Sequence, residues 1–155
     1  MTTTTAKATK TSRTFRLECA TTIDVRATPE RIWALLTNAA DFPRWNSTVT
    51  RITGKIEQGE KLLLEVPAAP GRTFKPRVVK LEPGRTMVWS DGFAPMFKGV
   101  RTFTLAPNPD GSTAFSMVEV LSGVMLPMIK GSLPDFGPTF ETYAADLKRE
   151  AERTA

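Results

Sequence analysis

Apolar residues alternate loosely from Phe15 to Arg26. Leu17, Cys19, Ile23 and Val25 are the apolar members and Thr21 and Thr22 favour extended backbone, so this segment predicts a first strand. The period then changes. Thr28-Pro29-Glu30 supplies an N-cap, a proline at the first helical position and an acid in the first turn, and Ile32, Leu35 and Leu36 follow at helical spacing with Trp33 at the edge of that face. Asn38 and Ala39 end this helix, and Asp41 to Trp45 predicts a second short helical turn, with Pro43 tolerated in its first turn. Strand patterns follow at Ser47–Ile56, Lys61–Pro67, Thr73–Leu81, Thr86–Ser90, Gly99–Ala106 and Ser112–Leu121. Glycine marks the separators, joined in several by proline, as tight turns require. From about Pro138 onward Phe140, Tyr143, Ala144, Leu147 and Ala151 share one helical face, opposite Glu141, Lys148, Glu152 and Arg153. The segment between, Val124–Leu133, reads equally as a first helical piece or as a loop.

The pattern predicts an α+β fold: a curved antiparallel meander, two short helices after strand one, and one long C-terminal helix to cover the sheet. A sheet of that size covered by a single long helix encloses space, which makes a binding cavity the leading functional idea. Residues 15–153 read as a single domain and residues 1–14 as a disordered basic tail.

Composition removes several alternatives. The chain of 155 residues has no histidine and one cysteine, so intrachain disulfides, the usual zinc-ligand spacings and His-based triads are excluded, and no metal or cofactor is expected. Cys19, in an apolar strand, reads as a small buried hydrophobe. The net charge of +5 is mostly local, because residues 1–16 hold four cations and no acid, while the rest has 17 basic and 16 acidic side chains. Such a body lacks the basic face that tracking phosphates requires, so no nucleic-acid partner is expected. With no secretory h-region and no apolar run long enough to span a bilayer, a cytoplasmic setting without integral membrane association fits, as monomer or homodimer.

The turn Asn108-Pro109-Asp110-Gly111 fixes a register. A type I turn with glycine in the left-handed position makes a three-residue loop and sets Asn108 opposite Ser112. Leu105 then faces Phe115, Phe103 faces Met117 and Arg101 faces Glu119, all on one apolar face that Leu121 joins. An Arg–Glu pair on that concave side is either a structural ion pair or the polar anchor of an apolar pocket. Among the aromatic and Met residues, Phe42, Trp45, Trp89, Phe103, Met117, Phe136 and Phe140 suit either core or ligand contact. Phe93, Met96, Phe97, Met125 and Met128 lie in Gly/Pro-rich loops, where apolar side chains suit a ligand mouth.

Taken in order, Thr28-Pro29-Glu30-Arg31-Ile32-Trp33, Asp41-Phe42-Pro43-Arg44-Trp45-Asn46, Leu81-Glu82-Pro83-Gly84-Arg85 with Trp89, Gly99-Val100-Arg101-Thr102-Phe103-Thr104-Leu105, and Glu119 with Ser122-Gly123 give the chain a resemblance. It resembles the START-like (SRPBCC) superfamily, in particular its polyketide cyclase/dehydrase and lipid-transport branch, over about residues 15–150. The resemblance implies a helix-grip fold, with a seven-stranded antiparallel sheet around the C-terminal helix and a deep cavity between them. Members bind lipids, sterols, polyketides or plant hormones, and some act as aromatases/cyclases or activate a heat-shock chaperone ATPase. It also implies that Trp45 and Asn46 lie near the cavity and that Arg101 and Glu119 face it. Many related sequences have histidine where this chain has Arg101, a departure that removes an acid/base at neutral pH.

Three functions follow as expectations. The first is binding or carriage of a small hydrophobic ligand, a lipid, polyketide or aromatic, with Trp45, Phe42, Trp89, Phe93, Phe97, Arg101, Phe103, Met117, Glu119, Met125, Met128, Phe136 and Phe140 as its contacts. The second is a polyketide cyclase or dehydratase with Glu119 as base and Arg101 or Tyr143 stabilising an enolate; the arginine beside Glu119 opposes the raised basicity this needs. The third is a protein-partner module.

Overall fold

The structure is a computed structural model that describes residues 5–133 and 135–153. Its main sheet is antiparallel and six-stranded, in the order β1-β2-β8-β7-β6-β5, with β1 Lys7–Arg13, β2 Arg16–Val25, β5 Arg77–Glu82, β6 Thr86–Phe93, β7 Phe97–Pro107 and β8 Thr113–Ser122. Two three-residue strands, β3 Arg51–Thr53 and β4 Leu63–Glu65, form a separate ribbon. The helices are α1 Pro29–Leu36, α2 Phe42–Trp45, α3 Leu126–Ile129 and α4 Phe136–Arg153. Helix α4 lies across the concave face of the sheet and buries Phe140, Tyr143, Ala144, Leu147 and Ala151 there. This is the helix-grip arrangement.

All seven expected strands are present, but they do not make one seven-stranded sheet. The segments around β3 and β4 keep only short ladders, and single bridges, Leu64 to Phe74 and Lys61 to Arg77, carry the pairing on toward β5. In their place the sheet gains β1, from a tail expected to be disordered. Composition misled here: Lys7–Arg13 is polar and charged, yet its alternating threonines fit the free edge of β2, whose backbone groups need partners. Three further contacts fix it. Thr21 Oγ1 donates to the Lys7 carbonyl at 3.0 Å, the Ala8 N–H donates to Glu141 on α4 at 2.9 Å, and Lys10 pairs with Asp135 at 2.7 Å. Residues 1–4 of that tail lie outside the described residues.

Local signals at the helices act as the sequence implies. Thr28 Oγ1 accepts from the Arg31 N–H at 3.2 Å, capping α1 ahead of Pro29. Helix α4 begins two residues before Pro138, which is harmless because the first-turn amides of a helix have no intrahelical acceptor. The preceding Asp135 carboxylate takes the Gly137 N–H at 3.1 Å. Val124–Leu133 resolves as a helical piece, α3 followed by a 3-10 turn at Lys130–Ser132. A polar network ties α2 to the far end of α4. Arg44 bridges Asp41 at 2.7 Å and Glu150 at 2.8 Å, Arg153 joins Glu150 at 2.9 Å, and Ser47 donates twice to Asp146. These cations hold the buried Glu150 carboxyl down to about 2. No helix among the described residues is long and apolar enough to cross a membrane.

Candidate functional site

The concave face divides along the strands. The register sets Leu105, Phe115 and Ile23 abreast, then Met87, Phe103, Met117 and Thr21, and every one of these is buried. The next row is Trp89, Arg101, Glu119 and Cys19, and beyond it come Asp91, Gly99, Leu121 and Leu17. Here large side chains give way to charges and a glycine, and a cavity of about 480 Å³ opens between the sheet, the ribbon and the first turns of α4. That volume suits a small organic ligand. A Cβ at position 99 would lie 3.1 Å from Leu121 Cδ2 and 3.3 Å from Glu119 Oε2, so Gly99 leaves the room those two side chains occupy.

The floor is polar and preorganised. Arg101 Nε donates to Glu119 Oε1 at 2.9 Å, with the two side chains only 18% and 13% exposed, and the guanidinium carbon sits 5.1 Å from the centre of the Phe140 ring. The terminal nitrogens of Arg101 have no protein acceptor among the described residues. Tyr143, 2% exposed, lines the cavity within a cage of four rings: Phe42, Phe115, Phe103 and Trp45, at centroid distances of 6.1, 6.3, 6.4 and 6.5 Å. Its hydroxyl makes no hydrogen bond among the described residues. Burial pushes this phenol far above its ordinary range, against a smaller opposing effect of Arg101, so at neutral pH it is a hydrogen-bond donor. The indole N–H of Trp89, on the same floor row, is also buried without an acceptor. Burial raises the Cys19 thiol too, and it stays an inert core group.

Of the residues singled out from sequence, Phe42, Trp89, Phe97, Arg101, Glu119, Phe136 and Tyr143 line the cavity. Phe103, Met117 and Phe140 are fully buried beneath its floor, and Trp45 packs behind Phe42, 4.7 Å between ring centres. Asn46 is wholly buried, its side-chain oxygen taken by Thr48. Phe93 and Met128 point outward, Met125 is half-buried, and none of these three lines the cavity. The opposite wall, Val49, Ile52, Leu64, Val66 and the loop Arg72 to Pro76, was not anticipated. Its one available signal was the run Pro67, Pro70, Gly71 and Pro76 with Phe74 inside it, an apolar ring in an irregular loop.

Compared with known proteins, residues 16–152 match the family described as polyketide cyclase / dehydrase and lipid transport. The chain belongs to that family. It is a START-like (SRPBCC) protein, and solved structures share the fold. A protein from Mesorhizobium loti, MLL2253, is 21% identical with a TM-score of 0.68, over 89% of this chain and 98% of that one. A START superfamily protein from Mycobacterium smegmatis is 19% identical with a TM-score of 0.64, over 89% and 99%. CalU16 from Micromonospora echinospora is 13% identical with a TM-score of 0.63, over 95% and 84%. At these identities the likeness concerns fold alone. No curated protein matches the sequence.

Proposed function

We propose that this START-like protein binds a small, largely apolar molecule that carries an oxygen acceptor at its buried end. The observation that carries the proposal is the Tyr143 hydroxyl, caged by aromatic rings at the floor of the cavity with no protein partner among the described residues. The hydroxyl borders the cavity rather than being sealed in the core, so a ligand carbonyl or hydroxyl can accept a hydrogen bond from it. Arg101 offers further N–H groups beside it, and because Glu119 already balances the arginine, a neutral ligand oxygen fits better than a carboxylate. A cyclase or dehydratase needs a free base, whereas Glu119 Oε1 is engaged by Arg101 and the Tyr143 phenol keeps its proton. Binding or carriage is therefore the better-supported reading.

Native mass spectrometry of the purified protein tests it, followed by titration with the neutral fluorophore N-phenyl-1-naphthylamine. The expected result is either a co-purifying molecule released on denaturation or saturable uptake of the probe at one site. A clean apo mass together with no probe uptake would sink the proposal.

A further inference from the structure

Seven large apolar side chains are exposed among the described residues, and five of them, Phe15, Phe93, Met96, Val124 and Met128, gather at one end of the sheet. They come from three loops that backbone hydrogen bonds knit together. The Gly123 N–H donates to the Phe15 carbonyl at 3.1 Å, that of Val124 to Pro95 at 3.0 Å and that of Met125 to Met96 at 3.0 Å. Gly123, at φ 131°, lies against the Met96 carbonyl where any Cβ would collide, so the loops can only meet this way with glycine there. Exposure reaches 70% at Phe93, which closes β6 at the tip of the β6–β7 hairpin, and 76% at Met128, on the short helix α3.

The charge around these tips has one sign in excess. Arg13 and Arg16 flank Phe15, Lys98 stands abreast of Arg16 across Ser122, and Lys130 follows α3. The Lys130 ammonium reaches back to the Arg13 carbonyl at 3.0 Å and to Ser12 Oγ, which holds the α3 loop to the β1–β2 turn. The acids nearby are Asp91 and Glu18, the latter bound to Arg16 at 2.7 Å. Four cations therefore face two acids. The same end borders the cavity, whose lining includes Gly92, Phe97, Ile129, Ser132 and Leu133 from these loops.

We propose that this end of the molecule docks peripherally on an anionic lipid surface, with Phe93 and Met128 entering the acyl boundary and Arg13, Arg16, Lys98 and Lys130 meeting the headgroups. Apolar tips inside a cationic rim fit that interface, since apolar insertion and attraction to anionic lipid add. A ligand could then pass between bilayer and cavity without crossing bulk water. The docking stands on the surface alone and does not require the cavity to be filled.

Flotation with vesicles decides it. The protein is expected to float with phosphatidylcholine vesicles containing about one third phosphatidylglycerol, to lose that binding as salt rises, and to bind pure phosphatidylcholine far less. Phe93→Ser with Met128→Ser should abolish flotation, and Lys98→Glu should weaken it about fivefold or more. All three positions are outside the core, and a thermal melt checks that each variant folds. Failure to float with the anionic vesicles, or flotation unchanged in the double variant, overturns the proposal. So does a wild-type dimer in sedimentation velocity that the double variant converts to monomer while neither floats, an outcome assigning the patch to a second copy of the chain. Probe uptake by the wild type, measured without vesicles, reports on the cavity separately.

Discussion

The two ends of the long helix meet the same sheet in opposite ways. Toward its C-terminus Ala144, Leu147 and Ala151 are buried in one core with Ile23, Phe115 and Met117, and the space is filled. Toward its N-terminus Phe136, Thr139 and Tyr143 face Arg101, Gly99 and Leu121 across an open volume. Strand pairing is unbroken through both halves of β7 and β8, so the backbone does not make the difference. Side-chain volume does: at successive inward positions of β7, Leu105 and Phe103 give way to Arg101 and Gly99. The turns follow suit. The filled end closes with the polar Asn108–Ser112 turn, where Asp110 and Asp24 accept hydrogen bonds, and the open end closes with apolar loops. A hollow in this fold is thus a local choice of residues laid over a uniform scaffold.

The largest effect should come from emptying the filled half. Phe115→Ala is expected to cost about 3–5 kcal/mol in urea denaturation, whereas Phe97→Ala, at the cavity wall, should cost under about 1 kcal/mol. Equal costs would mean that the two halves are not packed differently. Next is the floor. Arg101→Met strands Glu119 in partly dry surroundings and should lose about 2 kcal/mol, most of it regained in the Arg101→Met/Glu119→Leu double variant.

A smaller, pH-dependent effect belongs to the filled end. The Glu150 carboxyl is lowered in the folded state, to about 2 from an ordinary 4.5. The folded state therefore binds this proton less readily than the unfolded chain. Its contribution is complete above about pH 5 and is lost as pH falls from there toward 2. Thermal melts of Glu150→Gln should be lower than wild type by roughly 1 kcal/mol at pH 7, with the gap closing toward pH 2. A gap independent of pH would assign the loss to shape rather than charge. The smallest stability change is expected for Tyr143→Phe, within about 0.5 kcal/mol of wild type, because no protein group loses a bond. The same variant should bind the ketone 2-acetylnaphthalene about tenfold more weakly while its affinity for 2-ethylnaphthalene holds. If both affinities fell together, the hydroxyl would have no part in recognising oxygen.

What the sequence made legible was mostly local. The Asn108 turn sets how β7 and β8 pair, which places Arg101 opposite Glu119 from the sequence alone, as the strands show. The cap of α1 and the apolar stripe of α4 were equally plain. Alternation identifies the face a residue points to, but not its depth along the strand. Trp89 and Phe103 therefore read alike, each as core or ligand contact, although one lines the cavity and the other lies beneath its floor. The far wall depends on β3, β4 and the Arg72 to Pro76 loop, whose placement follows from long-range packing that no short pattern encodes. β1 escaped notice for a related reason: its order depends on a partner edge, and its own composition carries no apolar signal.

That edge strand also bears on solubility. A sheet ends in a row of unpaired amides and carbonyls, the usual template for aggregation. Here the row belongs to β1, where Lys7, Lys10 and Arg13 discourage another chain from adding on, while the more apolar β2 is sealed between β1 and β8. Deleting residues up to Arg13 would leave β2 as the border, and light scattering of the truncated protein should then rise with concentration while the full chain stays clear.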